Sequence, residues 1–316
     1  MYYHILLLIF ALVLLYFGAE LALNAAEKIG RRLGFSPMII GMLIIGLGTS
    51  LPEFFVSHLA LMKGDSGMAL GNILGSNVAN TLLILGVASF LVPLKTDRSD
   101  IKQYVLHFIL YFLLLFSLSF ETFNFLGSSI LLAYFLFFLF NLFIERKKNV
   151  EKLKQDDANL RNSIIALDKE HIISFLKLAL GFYSLYFGGE LLVDSGKQVC
   201  LSLGVSTYVI SAIFVAFGTS FPELVTSIIA CKKKKDTDII IGNILGSNIF
   251  NVAFVLGSLG FYQFKITQSF KYEMICLFVS AIFLLILSIR DSKLNRIFGA
   301  VFLLGYALMV RYWAFN

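Results

Sequence analysis

The sequence predicts an all-α polytopic membrane protein: ten transmembrane helices arranged as two inverted five-helix repeats. Three observations carry this. Of 316 residues, 58% are hydrophobic and 15% charged, where soluble domains carry about a quarter charged. Apolar stretches of roughly 20 residues, the length that crosses a bilayer as a helix, recur along the whole chain. Two motifs are each written twice: GTSLPE at Gly48–Glu53 returns as GTSFPE at Gly218–Glu223, and GNILGSN at Gly71–Asn77 returns letter for letter at Gly242–Asn248.

The apolar stretches fall at 3–27, 36–62, 67–93, 102–120, 125–144, 172–197, 205–231, 238–261, 270–289 and 296–314. The first repeat is 1–144, with its motifs in 41–82. The second is 172–316, with its motifs in 211–253. Between them, 145–171 is the long polar segment, read as a short helical or flexible linker. Its Asp156–Asp157 pair lacks the glycine and terminal glutamate of an EF-hand loop. Glu53 and Glu223 stand 170 residues apart, as do Leu15–Leu21 and Leu185–Leu191; Gly71 and Gly242 stand 171 apart, so one residue entered near Lys232–Lys235. An odd number of spans per repeat inverts the second copy, a pattern typical of alternating-access transporters.

Positive charge tests the span count. With the N-terminus outside, the inside loops hold twenty lysines and arginines and the outside loops five, while Lys177 lies within a span. That bias sets both termini outside and the linker 145–171 in the cytoplasm. The start MYYHI has no basic n-region, so no cleavable signal peptide is expected. Cys200, Cys231 and Cys276 have no ligand-like spacing.

The repeated motifs have definite physics. Pro52 removes a backbone donor and disfavours helix at Leu51, so GTSLPE interrupts a helix and resumes it with Pro in the first turn and Thr49 or Ser50 near the cap. The break frees carbonyl oxygens, tolerated at membrane depth only where they face protein, water or an ion. Glu53 stands beside them as the only charged residue between Arg32 and Lys63, and Glu223 is the only one between Lys197 and Lys232. Intramembrane acids are functional candidates by default. The GNILGSN segments add neutral oxygens: Asn72, Ser76, Asn77 and Asn80, then Asn243, Ser247, Asn248 and Asn251. Such an all-oxygen, thiol-free set suits hard cations, and Ca2+ fits a flexible, water-poor cage better than Mg2+. Two ionised glutamates are neutralised by one divalent ion or by two or more monovalent ions, so competition between Ca2+ and monovalent cations is expected. A lone GxxxG reads as helix packing, and a lone buried Glu as half of an ion pair. The duplication of Glu together with Pro argues against both.

These motifs resemble the calcium/cation antiporter superfamily, in particular its prokaryotic sodium/calcium exchangers, over nearly the whole chain; the two motif segments match its alpha-repeats. The resemblance implies an antiporter exchanging Na+ for Ca2+ across the cell (inner) membrane, with no cofactor and no enzymatic activity. Its partners are then the two ions and the bilayer, with neither nucleic acid nor an obligatory protein partner. It implies that Glu53 and Glu223 are shared ligands and that the Thr49 and Thr219 carbonyls complete the Ca2+ shell. Ser50, Ser220, Ser76 and Ser247, with the backbone at Gly46 and Ala216, match the family's sodium ligands, and Asn80 and Asn251 occupy the central pair. Some relatives carry Asp at the Asn251 position, so Asn here weakens a potassium requirement.

Two rivals stay open: a proton/calcium or other divalent-cation antiporter, and a cation channel lined by one acid per repeat. A membrane enzyme lacks any supporting motif. Glu20 and Glu190 are expected to neutralise Lys28 and Lys197 or to cap a gate. His58, whose counterpart is Ile228, reads as an isolated polar residue, and Trp313 as an interface anchor.

Overall fold

The computed structural model describes residues 2–156, 169–203, 218–266 and 268–315. Its helices are α1 (Tyr2–Arg32), α2 (Pro37–Thr49), α3 (Leu51–Met62), α4 (Ser66–Leu91), α5 (Arg98–Leu118), α6 (Phe125–Asp156), α7 (Lys169–Ser202), α8 (Phe221–Lys232), α9 (Thr237–Tyr262), α10 (Lys271–Ile289) and α11 (Arg296–Phe315). Among the described residues eight helices are long and apolar enough to span a membrane, and α2 with α3, bent by 40°, forms a ninth. The span expected at 205–231 is described only from Gly218, and α8 is its second half.

Burial sorts the helices into a centre and a wall. The most apolar windows of α9 and α4 are 94% and 78% buried, against 22–44% for the other continuous spans. The two GNILGSN helices are therefore the core, and the exposed apolar faces of the rest suit lipid. Glycine permits the closest contact. A Cβ on Gly242 would come within 2.3 Å of the Met38 carbonyl, and one on Gly246 within 2.3 Å of that of Met42, so α9 lies backbone to backbone on α2.

Contacts between loops report which ends share a face. Leu94–Lys95 pairs antiparallel with Lys293–Leu294, Arg146 and Asn149 donate to the Leu33 and Gly34 carbonyls, and Lys235 pairs with Glu27. At the other face Thr122–Phe123 pairs with Phe264–Lys265, Ser66 donates to the Lys265 carbonyl, and Trp313 donates to Glu273. Each contact joins segments that ten spans would place together.

Several local readings are refined, and those of Glu20 and Glu190 are corrected. The linker is helical at both ends: α6 runs on through Asp156 because no Gly or Pro interrupts it and Arg146 and Asn149 anchor it, and α7 begins at Lys169. Glu20 pairs with Lys233 at 2.7 Å and not with Lys28, which at i+8 lies about 12 Å along the same helix. Glu190 accepts from the Tyr186 hydroxyl at 2.7 Å, a partner the i+7 spacing to Lys197 does not suggest. Trp313 has a specific partner in Glu273, at 2.6 Å. His58 does serve packing: its Nδ1 lies 2.9 Å from the Phe54 carbonyl and its ring 4.2 Å from that of Phe54.

Candidate functional site

The two breaks are near copies. Ser50 has φ −87°, ψ 6°, and Ser220 has φ −87°, ψ 8°, between helix and turn values. Each sits at the N-cap position with Pro in the first turn that follows, Pro52 in α3 and Pro222 in α8. Neither serine side chain caps its helix. The Ser50 hydroxyl instead donates across the molecule to Glu223 Oε1 at 3.4 Å, which brings the two breaks together. The Thr49 hydroxyl turns back to the Ile45 carbonyl at 3.1 Å.

Each break is laced to the GNILGSN helix of the opposite repeat. Thr49 Oγ1 lies 3.4 Å from Ser247 Oγ and 3.5 Å from Asn243 Oδ1. Thr219 Oγ1 lies 3.2 Å from Ser76 Oγ and 3.0 Å from Asn72 Oδ1. The Gly46 carbonyl accepts from the Ser50 N–H and the Ser247 hydroxyl, both at 3.2 Å. Asn72 and Asn243 thus hold the two threonines, a role beyond that of generic oxygen donors.

Asn80 and Asn251 lie in π-helical turns, Ala79–Ile84 and Phe250–Leu256, which follow the α-helical parts of α4 and α9. A π turn takes one extra residue per hydrogen-bonded ring and commonly marks functional positions. Here both turns carry a fully buried asparagine. Asn80 Nδ2 donates to Asn248 Oδ1 at 3.1 Å, while both amide atoms of Asn251 lack a protein partner.

The electrostatics are lopsided. Glu53 and Glu223 are both 0% exposed. Both oxygens of Glu53 and Oε2 of Glu223 have no hydrogen-bond donor, and the ion pairs described elsewhere in the protein do not involve either acid. A buried carboxylate without a partner costs several kcal/mol. The surrounding side chains offer oxygen in quantity and no positive charge, so a cation is the species that satisfies the site. A cavity of about 210 Å3 borders it, lined by Pro52, Thr219 and Pro222 of the breaks and by Tyr186, Glu190 and Asp194 of α7. Thr219 is half-buried there, whereas Thr49 is buried.

The structure therefore joins Thr49 with Ser247, Ser247 with Gly46, Ser50 with Glu223, and Thr219 with Ser76 across the two repeats, and it buries Glu53, Ser220, Asn80 and Asn251. Ala216 lies outside the described residues. Sequence reasoning missed Thr81, His107 and Tyr111, which surround Asn248. The available signal was a His and a Tyr four residues apart, and so on one helix face, within an apolar span.

The family model described as sodium/calcium exchanger protein matches residues 3–144 and 173–314. The chain is 29% identical to the sodium/calcium exchanger MaX1 of Methanosarcina acetivorans over 336 residues, 95% of each chain. It is 31% identical to the inner membrane protein YrbG of Escherichia coli over 314 residues, 97% of this chain and 96% of that one. Its fold superposes on the solved sodium-calcium exchanger NCX_Mj soaked with zero Na+ and Ca2+, with a TM-score of 0.81 and 26% identity, covering 98% of both chains.

Proposed function

Starting from a chain that belongs to the sodium/calcium exchanger family of membrane cation transporters, we propose that it exchanges Na+ for Ca2+ by alternating access. The observation that carries this reading is the pair of fully buried, uncompensated glutamates in an all-oxygen shell built from both repeats. Glu53 and Glu223 bind both ions. The Thr49 and Thr219 carbonyls complete the Ca2+ shell. Ser50, Ser220, Ser76, Ser247 and the backbone at Gly46 and Ala216 serve Na+, and Asn80 and Asn251 close the centre. MaX1 carries the same activity in its name.

Obligatory exchange follows from charge. With either Ca2+ or Na+ aboard, the site approaches neutrality and its surroundings can rearrange. Empty, it carries two buried negative charges, and moving them through an apolar barrier is costly. The driving force is sufficient. If three Na+ enter per Ca2+, a tenfold Na+ gradient gives about 1.4 kcal/mol per ion and 100 mV adds about 2.3 kcal/mol for the net charge. The total of roughly 6.5 kcal/mol supports a Ca2+ gradient on the order of 10^4 to 10^5. The positive-inside bias supports an orientation with both termini outside, the linker 145–171 in the cytoplasm and the Lys95–Lys293 edge on the cytoplasmic face.

The test is 45Ca2+ uptake into proteoliposomes with imposed Na+, H+ or K+ gradients. Uptake should require an outward Na+ gradient and vanish in Glu53→Gln. Uptake driven by a pH gradient in sodium-free buffer would make the protein a proton/calcium antiporter, and flux without any counter-ion would make it a channel.

A further inference from the structure

The two central asparagines differ in what holds them, and the difference traces to α5. His107 and Tyr111, one turn apart on that helix, are 1% and 0% exposed. The Tyr111 hydroxyl lies 3.0 Å from His107 Nε2. Asn248 Nδ2 lies 3.2 Å from the same hydroxyl and 2.9 Å from Thr81 Oγ1, with His107 Nε2 farther off at 3.4 Å. Asn248 Oδ1 accepts from Asn80 Nδ2 at 3.1 Å.

The chain has a direction. A hydroxyl carries one proton. With Nε2 of His107 as acceptor, Tyr111 donates to it and turns a lone pair toward Asn248. Asn248 must then point its NH2 at Tyr111 and Thr81 and its oxygen at Asn80. Asn80 answers with its NH2, which leaves Asn80 Oδ1 buried and without a protein partner. Ser76, one turn earlier on the same face, touches Thr219 of the second break. The free oxygen therefore belongs to the face of α4 that borders the site.

The mirror positions show that packing does not demand these polar groups. Thr81 corresponds to Val252 at the 171-residue offset, and His107 and Tyr111 correspond to Leu277 or Phe278 and to Ala281 or Ile282 at 170 or 171. The positions at that offset in the second repeat are apolar, and burying apolar residues carries no polar desolvation cost. There Asn77, the counterpart of Asn248, keeps an unpartnered Oδ1, and Asn251, the counterpart of Asn80, is unpartnered at both atoms.

We infer that His107 and Tyr111 are positioning residues for the ion site: through Asn248 they fix the amide of Asn80 so that it presents oxygen, and not NH2, to the cation. The inference rests on the reading of Asn80 as a ligand. Remove the acceptor at 107 and the Tyr111 proton is free to turn to Asn248. Both amides can then reverse, and Asn80 meets a cation with its positive end.

The experiment is equilibrium 45Ca2+ binding to purified, monodisperse protein, with Ca2+ half-saturation and maximal rate of exchange measured alongside. His107→Leu and Tyr111→Phe should each weaken Ca2+ binding about tenfold, the loss of one oriented polar contact, and change the maximal rate less. His107→Gln, which keeps an acceptor oxygen within reach of Tyr111, should stay within about threefold of native. In an Asn80→Ala background His107→Leu should add nothing, because the relay acts through Asn80 alone. Native Ca2+ affinity in folded His107→Leu, or a full additional loss on top of Asn80→Ala, overturns the inference. Should His107→Leu not fold, Tyr111→Phe and His107→Gln decide by the same criteria. Glu53→Gln separates this from the parent reading: Ca2+ binding that survives it sinks the whole site, whereas binding lost in Glu53→Gln and native in His107→Leu and Tyr111→Phe sinks the relay alone.

Discussion

At the two breaks Ser50 and Ser220 hold nearly the same backbone angles, and Thr49 and Thr219 reach the same kinds of partner in the opposite repeat. One layer out, the halves part. Asn248 is surrounded by Thr81, His107 and Tyr111, whose counterparts at the repeat offset are apolar. Farther out still, Glu20 is paired with Lys233, whereas its counterpart Glu190 turns to Tyr186 beside an open cavity. Symmetry is thus kept at the two breaks, where the proposed ion site calls for equivalent oxygens from both repeats. It lapses where each repeat meets different surroundings. If the protein works by the proposed alternating access, a single structure has to be asymmetric somewhere, because the two routes to the site cannot both be open.

The acids probe the symmetric centre and carry the largest expected effect. Glu53→Gln and Glu223→Gln each remove one charge from a buried set, a change on the order of 3–5 kcal/mol. Exchange should fall by about 10^2-fold or more in each, and by similar amounts in both. If one variant keeps a tenth of native uptake while the other is inactive, the equivalence of the two breaks is wrong. Thr49→Val and Thr219→Val sharpen the comparison by smaller steps. Each loses a cross-repeat hydroxyl worth about 1 kcal/mol, so Ca2+ half-saturation should rise several-fold. Thr49→Val should cost more, because Thr49 is buried and Thr219 borders the cavity, where water can replace the lost partner. Equal effects on Ca2+ half-saturation would say that the cavity does not wet Thr219.

How much of this was legible depends on what kind of signal a residue leaves. Glu53 and Glu223 announced themselves because a charge inside an apolar span is expensive, and the 170-residue offset paired them before any coordinates. Pro52 and Pro222 announced the breaks for an equally local reason. The repeat with its odd span count implied inversion, and the loop contacts agree with that parity. His107 and Tyr111 left almost no signal: either reads as a tolerated polar residue until packing sets Asn248 beside them. The sequence alone points Glu20 to a lysine on its own helix, because it shows distance along a chain and not the approach of the loop after α8. The π turns that hold Asn80 and Asn251 were equally hidden, since nothing in ANTLLI or FNVAFVL departs from ordinary helix.

The outer asymmetry carries the smallest expected effect and the most direct reading of conformation. Glu20 and Lys233 meet at 2.7 Å and tie α1 to the end of α8; Lys235 and Glu27 do the same nearby. Lys63 ends α3 with φ −87°, ψ 2°, much as Lys233 follows α8 with φ −82°, ψ 4°, yet Lys63 makes no ion pair among the described residues. Exposed pairs contribute little and are screened by salt. Lys233→Ala should therefore leave Ca2+ affinity unchanged and alter the exchange rate by less than about threefold, with the difference fading at high ionic strength. Lys63→Ala should alter neither. Cysteine-accessibility labelling at Asp194→Cys, in the cavity wall, gives the conformational readout: labelling should fall in Lys233→Ala relative to the native pair, because loosening one edge lets the other close. Unchanged labelling together with an unchanged rate would mean that the Glu20–Lys233 contact holds loops and does not bias the balance between the two open states.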